Sequence, residues 1–413
     1  MGTGSQFNSS LFRFACLTAL ATLALVSIGG LVTSHEAGMA VPDWPNSYGY
    51  NMFLFPISKW VGGIFYEHSH RLVATIVGTL VVALTRWLGG RASQLPLSLI
   101  GAAELVAGFA LLSVAPKLQG AGHFLSGIGV VVLLAGAVWV RNEPAPKPLP
   151  ALGWLAFVLV QIQGLLGGLR VVLYKNEIGI FHATLAQLFF VLLCAICLLA
   201  GPWWQANNGR FSTTPHHGPR WLAALVTAVS VLILGQLILG ATMRHQHAGL
   251  AIPDFPLAYG KLWPVTDRAS VQLYNQHRLE TVGTNAITGA QILLQMVHRL
   301  VAICSLLGVG LCAWGASRTF GHRAPLSKLA WGWFGLICLQ ALLGAATIWS
   351  NKAADIATAH VVVGALSLAF GGIMSIVCIR NLTLASGNVL PASRTVAESS
   401  GFGAPSPATG IHS

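Results

Sequence analysis

Four histidines and one glutamate are the residues of this 413-residue chain best placed to do chemistry. His70, His182, His298 and His360 each stand near the start of an apolar segment. Imidazole is the commonest transition-metal ligand, and two histidines from facing helices can take the axial positions of a heme iron. Zinc would want three or four protein ligands at each site, and nothing in the pattern supplies them. Glu67 lies three residues before His70, one helical turn away on the same face, whereas the residue aligned before His298 is Gln295. A carboxylate beside a site in an apolar segment is costly and so a functional candidate, although a rim carboxylate also suits the positive end of a helix. Arg71 and Arg299 directly follow two of the histidines and could pair with heme propionates or snorkel to headgroups.

The elements that must position these residues cross a membrane. The chain is 54% hydrophobic and 8% charged, with a mean hydropathy of +0.70. Apolar runs of about 20 residues recur, the length that crosses a ~30 Å hydrocarbon core, and they lack the alternation of barrel strands. Ten spans are predicted, at about 11–32, 67–89, 97–115, 121–140, 151–171, 181–201, 220–242, 292–316, 327–349 and 355–380. The first is too long for a cleavable signal peptide and lacks a small-x-small site. The net charge of +12 is spread among loops, which excludes a nucleic-acid binder. Twelve of the 23 Lys and Arg fall inside if the N-terminus is cytoplasmic, a small bias toward that orientation. The seven cysteines all lie in apolar runs, so no loop disulfide is expected, and Cys194-x-x-Cys197 reads as packing. From about Thr383 the composition turns to Ser, Ala, Gly and Pro, the signature of a disordered tail over 383–413.

The pattern is written twice. Residues 37–49 (AGMAVPDWPNSYG) and 248–260 (AGLAIPDFPLAYG) share eight of thirteen positions. Each stretch is followed by His-Arg-Leu-Val-Ala, at His70 and at His298, then by Gln-x-Leu-Leu-Gly at Gln163 and Gln340, then by His182 or His360. Repetition in an apolar chain indicates two structural halves, here each with its own histidine pair. All four histidines open even-numbered spans, so they enter from one side at similar depth. The interval from His70 to His182 is 112 positions against 62 from His298 to His360. The extra length is one helical hairpin, near 97–140, which carries no repeated histidine and is expected to be dispensable for chemistry. His35, His68, His245 and His247 read as surface, rim or supporting residues, and Glu104 in the third span is left without a role.

These strings together resemble the heme A synthase family, membrane enzymes that convert heme O to heme A for terminal oxidases. The resemblance rests on Gly29-Gly30-Leu31-Val32-Thr33, Glu67-x-x-His70-Arg71, Gly167-Gly168-Leu169-Arg170, Phe181-His182-Ala183-Thr184-Leu185-Ala186-Gln187, His298-Arg299 and His360. It covers about 11–380 apart from the hairpin, which lies outside the family's usual eight-helix plan. It implies an all-α polytopic membrane protein of two pseudo-symmetric four-helix bundles. The half at 11–201 would bind substrate heme through His70 and His182 with Arg71, and Glu67 would be catalytic. The half at 220–380 would hold heme b through His298 and His360, with Arg299 near a propionate. The implied reaction oxidises the C8 methyl of heme O to the formyl of heme A. The implied setting is a bacterial inner membrane, with both termini cytoplasmic and the heme sites toward the outside. Candidate partners are membrane lipid, heme O synthase, oxidase assembly factors and an electron donor or acceptor. The first loop lacks the cysteine pair of some members, so thiol-linked electron delivery there is not expected. A two-heme electron-transfer protein of the cytochrome b kind, and a repeat-built transporter using histidines for protons, remain rival readings; the Glu67/Gln295 difference favours the enzyme.

Overall fold

The computed structural model describes residues 8–115, 118–138, 142–207, 220–281 and 286–383. The expected tail lies outside the described residues but for its first position. Twelve α-helices make up the described chain: α1 Ser9–Ser34, α2 Gly63–Gly89, α3 Gln94–Val114, α4 Gln119–Ala137, α5 Leu149–Leu173, α6 Asn176–Ala200, α7 Pro202–Asn207, α8 Arg220–His245, α9 Arg268–Thr281, α10 Gly289–Phe320, α11 Pro325–Trp349 and α12 Ala354–Thr383. Each predicted span falls on one of the ten long apolar helices. Among the described residues nine helical stretches are long and apolar enough to span, and one of them, Gly63–Val114, runs for 52 residues. At 1.5 Å per residue that is roughly 78 Å, far more than one crossing needs. It divides at Gly90, whose φ is +52° and where an added Cβ would sit 2.5 Å from the carbonyl oxygen of Asn142. A glycine is required there on both counts.

Apolar burial separates into two bundles. Leu11, Ala15, Val77, Leu84, Phe190, Leu193 and Ile196 pack one core among α1, α2, α5 and α6. Val226, Ile233, Val309, Trp333, Ile337 and Met374 pack the other among α8, α10, α11 and α12. The seam is shared: Ala365 and Ala369 of α12 belong to the first core. With little hydrophobic drive between helices in lipid, close packing and internal polar contacts hold such a bundle. Thr85 Oγ1 donates to the Gly153 carbonyl at 2.9 Å, and Trp333 Nε1 to that of Ser367 at 3.0 Å.

The repeated loops fold alike down to single hydrogen bonds. After α1, Asp43 accepts from the N–H groups of Tyr48 (2.7 Å) and Gly49 (2.8 Å). After α8, Asp254 accepts from Tyr259 (2.7 Å) and Gly260 (2.9 Å). Both turns place a tyrosine and then a glycine at positive φ. The second loop also carries α9, which the sequence reading did not anticipate because it lacks a spanning run. Asp267 caps it, accepting from Ala269 (3.0 Å) and Ser270 (3.1 Å), and the Ser270 hydrogen bonds hold this carboxyl below its usual range. Tyr274 of α9 stacks on Tyr259 with centroids 3.7 Å apart. Burial there pushes the Tyr259 hydroxyl up to about 12.

The inserted hairpin α3–α4 packs chiefly on itself, through glycines seven residues apart. An added Cβ at Gly101 would lie 2.4 Å from the Leu133 nitrogen, so the two backbones are in contact. It is nonetheless fastened to the first bundle. Arg86 of α2 donates to the carbonyls of Ala135 (3.2 Å) and Val138 (2.9 Å), and Gln161 of α5 donates to Glu104 Oε1 at 2.6 Å. All seven cysteines are free thiols.

Candidate heme sites

Each of the four histidines is backed by a glycine on the neighbouring helix. A Cβ on Gly29 of α1 would stand 3.1 Å from His70 Cε1, and one on Gly167 of α5 would stand 3.4 Å from His182 Cε1. In the second half the same test gives 3.4 Å from Gly240 to His298 and 3.0 Å from Gly344 to His360. Gly29 corresponds to Gly240 and Gly167 to Gly344 in the repeat. The chain has therefore cleared space beside each imidazole in register. His70 lies close enough to His182 for their charges to interact, and His298 likewise to His360. The structure thus brings together the pairs that the repeat proposed.

The ring nitrogens are poised for a ligand. The rings of His70, His182 and His298 are buried at Nδ1, with the Leu25 carbonyl beside the His70 ring and the Gln163 carbonyl beside that of His182. His360 Nδ1 donates to the Gln340 carbonyl at 3.1 Å, which leaves Nε2 as its free acceptor. Glutamines orient the rest: Gln163 Nε2 donates to the His182 carbonyl (3.1 Å), and Gln236 Nε2 reaches the His298 carbonyl (3.0 Å) and ring Nε2 (3.2 Å). Among the described residues no group of three or more His, Cys, Asp or Glu could hold a metal ion. Two buried imidazoles per half, with no third protein ligand beside them, suit a flat metal complex that brings its own equatorial ligands, which is what a heme is.

Glu67 and Gln295 are homologous loop anchors. Glu67 is 4% exposed; its Oε2 accepts from the Val41 N–H at 2.8 Å and its Oε1 accepts from Arg71 Nη2 at 2.7 Å. Gln295 Oε1 accepts from the equivalent Ile252 N–H at 2.7 Å, and its Nε2 donates back to the Ile252 carbonyl at 3.3 Å. Both groups hold the repeated loop onto the helix that carries the first histidine of the half. Only the first half does so with a carboxylate.

Arg71 and Arg299 go to the same task, and not to an open pocket. Arg71 donates to the carbonyls of Asp43 (2.6 Å), Asn46 (2.9 Å) and Val41 (2.9 Å). Arg299 donates to those of Leu257 (2.9 Å) and Asp254 (2.7 Å), and lies 5.4 Å over the Phe255 ring. A guanidinium fork suits a turn whose carbonyls converge, so an arginine next to a ligand residue can be a loop clamp. Of the histidines read as supporting residues, His68 is fully buried, bonded to Ser47 Oγ at 3.0 Å between Phe55 and Trp60. His245 is buried against Gly179 at the seam, His35 stacks on Tyr66, and His247 stands exposed beside Glu36.

Two groups at the first site escaped the sequence reading as site residues. Trp44 of the first loop wedges against Gly168 and packs at a tilt against Phe124 of the hairpin, with ring centroids 5.1 Å apart. Arg170 of α5 stands against Gly38, close to Glu67 and His182. Arg170 could have been found by aligning the repeat past Gly167, where the second half has Thr347.

Fold and site together define a class: helical membrane proteins that duplicate a four-helix unit and set a histidine pair in each copy. The profile of the COX15-CtaA family of cytochrome oxidase assembly proteins matches residues 123–371, and the chain belongs to that family. It is similar to proteins named heme A synthase from several bacteria. With that of Sphingopyxis alaskensis it is 25% identical over 379 residues, 87% of this chain and 89% of the relative. With that of Shouchella clausii it is 24% identical over 332 residues, 78% and 90% of the two chains, and with that of Anaplasma marginale 29% over 195 residues, 46% and 49%.

Proposed function

We propose that the chain acts as a heme A synthase, oxidising the C8 methyl of heme O to the formyl of heme A. The observation that carries this reading is a duplicated histidine pair with a carboxylate, Glu67, built into one copy only, where the other has the neutral Gln295. His70 and His182 hold substrate heme O, and His298 and His360 hold heme b. Bound heme b supplies a one-electron carrier in the second half. Glu67 keeps a fixed carboxylate one turn from His70, where it stabilises positive charge that develops at the reacting carbon. Its two oxygens are both engaged as acceptors, which favours this electrostatic role over that of a mobile base. The repeated loops, clamped by Arg71 and Arg299, cover the histidine ends of α2 and α10 and keep water from them. The protein works in a bacterial inner membrane with both termini cytoplasmic and both sites toward the outer face, beside heme O synthase and the assembly machinery of terminal oxidases.

The test is heme extraction and chromatography from membranes expressing the chain with and without a heme O source. Heme A is expected only with heme O present. Two retained, unmodified hemes under both conditions would reject the enzyme and favour a cytochrome b-type electron carrier.

A further inference from the structure

Arg170 has no protein partner that accounts for its burial. Its Nε is buried without a hydrogen bond, and no ion pair among the described residues includes it. The other deep arginines are spoken for. Arg71 and Arg299 hold loop carbonyls, and Arg244 donates to the Gly30 carbonyl (2.8 Å) and Ser34 Oγ (2.9 Å). The acid near Arg170 is Glu67, and both its oxygens already serve Val41 and Arg71. Arg170 is half-buried, and a guanidinium whose Nε is shut from water without an acceptor is costly to maintain. Its neighbours are the histidine pair of the first half, and Gly38 leaves it room: a Cβ there would fall 2.5 Å from Nη2. The second half places Thr347 at this position, with its hydroxyl turned back to the Leu343 carbonyl at 2.8 Å.

We propose that Arg170 is the carboxylate receptor of the first-half pocket, taking a propionate of the porphyrin and so fixing which edge of the ring faces Glu67. This rests on the reading of His70 and His182 as a porphyrin site. A planar fork matches a carboxylate in two-point contact and lends direction as well as affinity. A receptor of this kind in one half only is what an oxidation at a single ring position requires. An electron carrier has no such need, which is consistent with Thr347 in the other half.

The test uses the purified protein with its second-half heme in place, titrated with ferric protoporphyrin and with its dimethyl ester, whose propionates are masked. Absorbance reports binding, and a His70→Ala/His182→Ala variant identifies the first-half signal. The wild type should prefer the free acid by about tenfold or more in Kd, the scale of one charge-assisted hydrogen bond. Arg170→Gln should lose that preference, and Arg170→Lys should keep part of it. Retention of the second-half heme spectrum reports folding in each variant. A wild type that binds both porphyrins equally would overturn the proposal even if no variant folds. So would an Arg170→Gln variant with the wild-type preference. Binding that ignores His70 and His182 would instead remove the first-half porphyrin site itself, and this inference with it.

Discussion

The two halves share a scaffold and differ in their charges. Glycine cradles, loop turns and arginine clamps recur position by position. Against that background the first half has Glu67 and Arg170 where the second has Gln295 and Thr347. The first also has the hairpin between α2 and α5, and Trp44 where the second has Phe255; the second alone carries α9 in its loop. A duplicated site keeps what binding needs in both copies; what differs marks the copy where something other than binding happens. Ionisable groups in a bilayer are kept only at a cost, so a charged pair confined to one copy is the sharpest functional signal in the molecule.

The comparison breaks most visibly at the second-half ligands. His298→Ala or His360→Ala removes one of two axial imidazoles from a retained cofactor, and the stable heme of the purified protein should be lost. His70→Ala and His182→Ala should leave that heme in place. Pyridine hemochrome assay of the four variants at matched protein decides this, and equal heme in all four would show that the halves do not divide labour as proposed.

Exchange of the anchors is expected to act next most strongly, and on one side only. Gln295 shows that an amide oxygen accepts the loop N–H as well as a carboxylate does. Glu67→Gln should therefore fold and keep both loop and heme b, while losing the charge and the Arg71 ion pair. A preorganised electrostatic stabiliser is worth on the order of 10²–10³ in rate, so heme O should accumulate in place of heme A. The reciprocal Gln295→Glu should leave turnover near wild type. Near-normal heme A from Glu67→Gln would reduce Glu67 to a loop anchor like its counterpart.

Much of this was legible in the sequence because the signals were local. The ten spans, the repeat and the histidine pairs follow from apolar length and from strings that recur in order. What escaped depended on where side chains end up. Arg71 sits beside His70 in sequence, which suggested a ligand contact, yet its long side chain turns to the loop carbonyls. Arg170 lies 100 positions from His70 and meets it only once α2 and α5 pack. Helix α9 hid in a polar loop because its support, the Tyr274–Tyr259 stack, is tertiary.

The hairpin sharpens the comparison from another side. Carrying no repeated histidine, it reads as dispensable, but Phe124 packs at a tilt against Trp44 and lies against Gly164, one face of the first-half wall. Phe124→Ala removes an aromatic contact worth roughly 0.5–1.5 kcal/mol beyond its buried area. It should lower first-half porphyrin affinity several-fold and leave second-half heme unchanged. Unchanged affinity would mean that the hairpin only shields the bundle from lipid.

The smallest effect expected is in the two turns. Asp43→Ala and Asp254→Ala each remove a carboxylate that accepts from two backbone N–H groups, a loss on the order of 1 kcal/mol once solvent screening in these exposed turns is allowed for. The turns are alike, so any difference must come from what braces them. Tyr259 is braced by its stack on Tyr274, whereas Tyr48 has only the looser Phe55 ring at 6.1 Å. Hydrogen exchange should therefore quicken more over residues 37–49 in Asp43→Ala than over 248–260 in Asp254→Ala. Adding Tyr274→Ala to Asp254→Ala should then bring the second loop to the level of the first. Equal exchange in the two single variants would show that α9 does not brace its loop, and the firmer cover over the second-half histidines would need another cause.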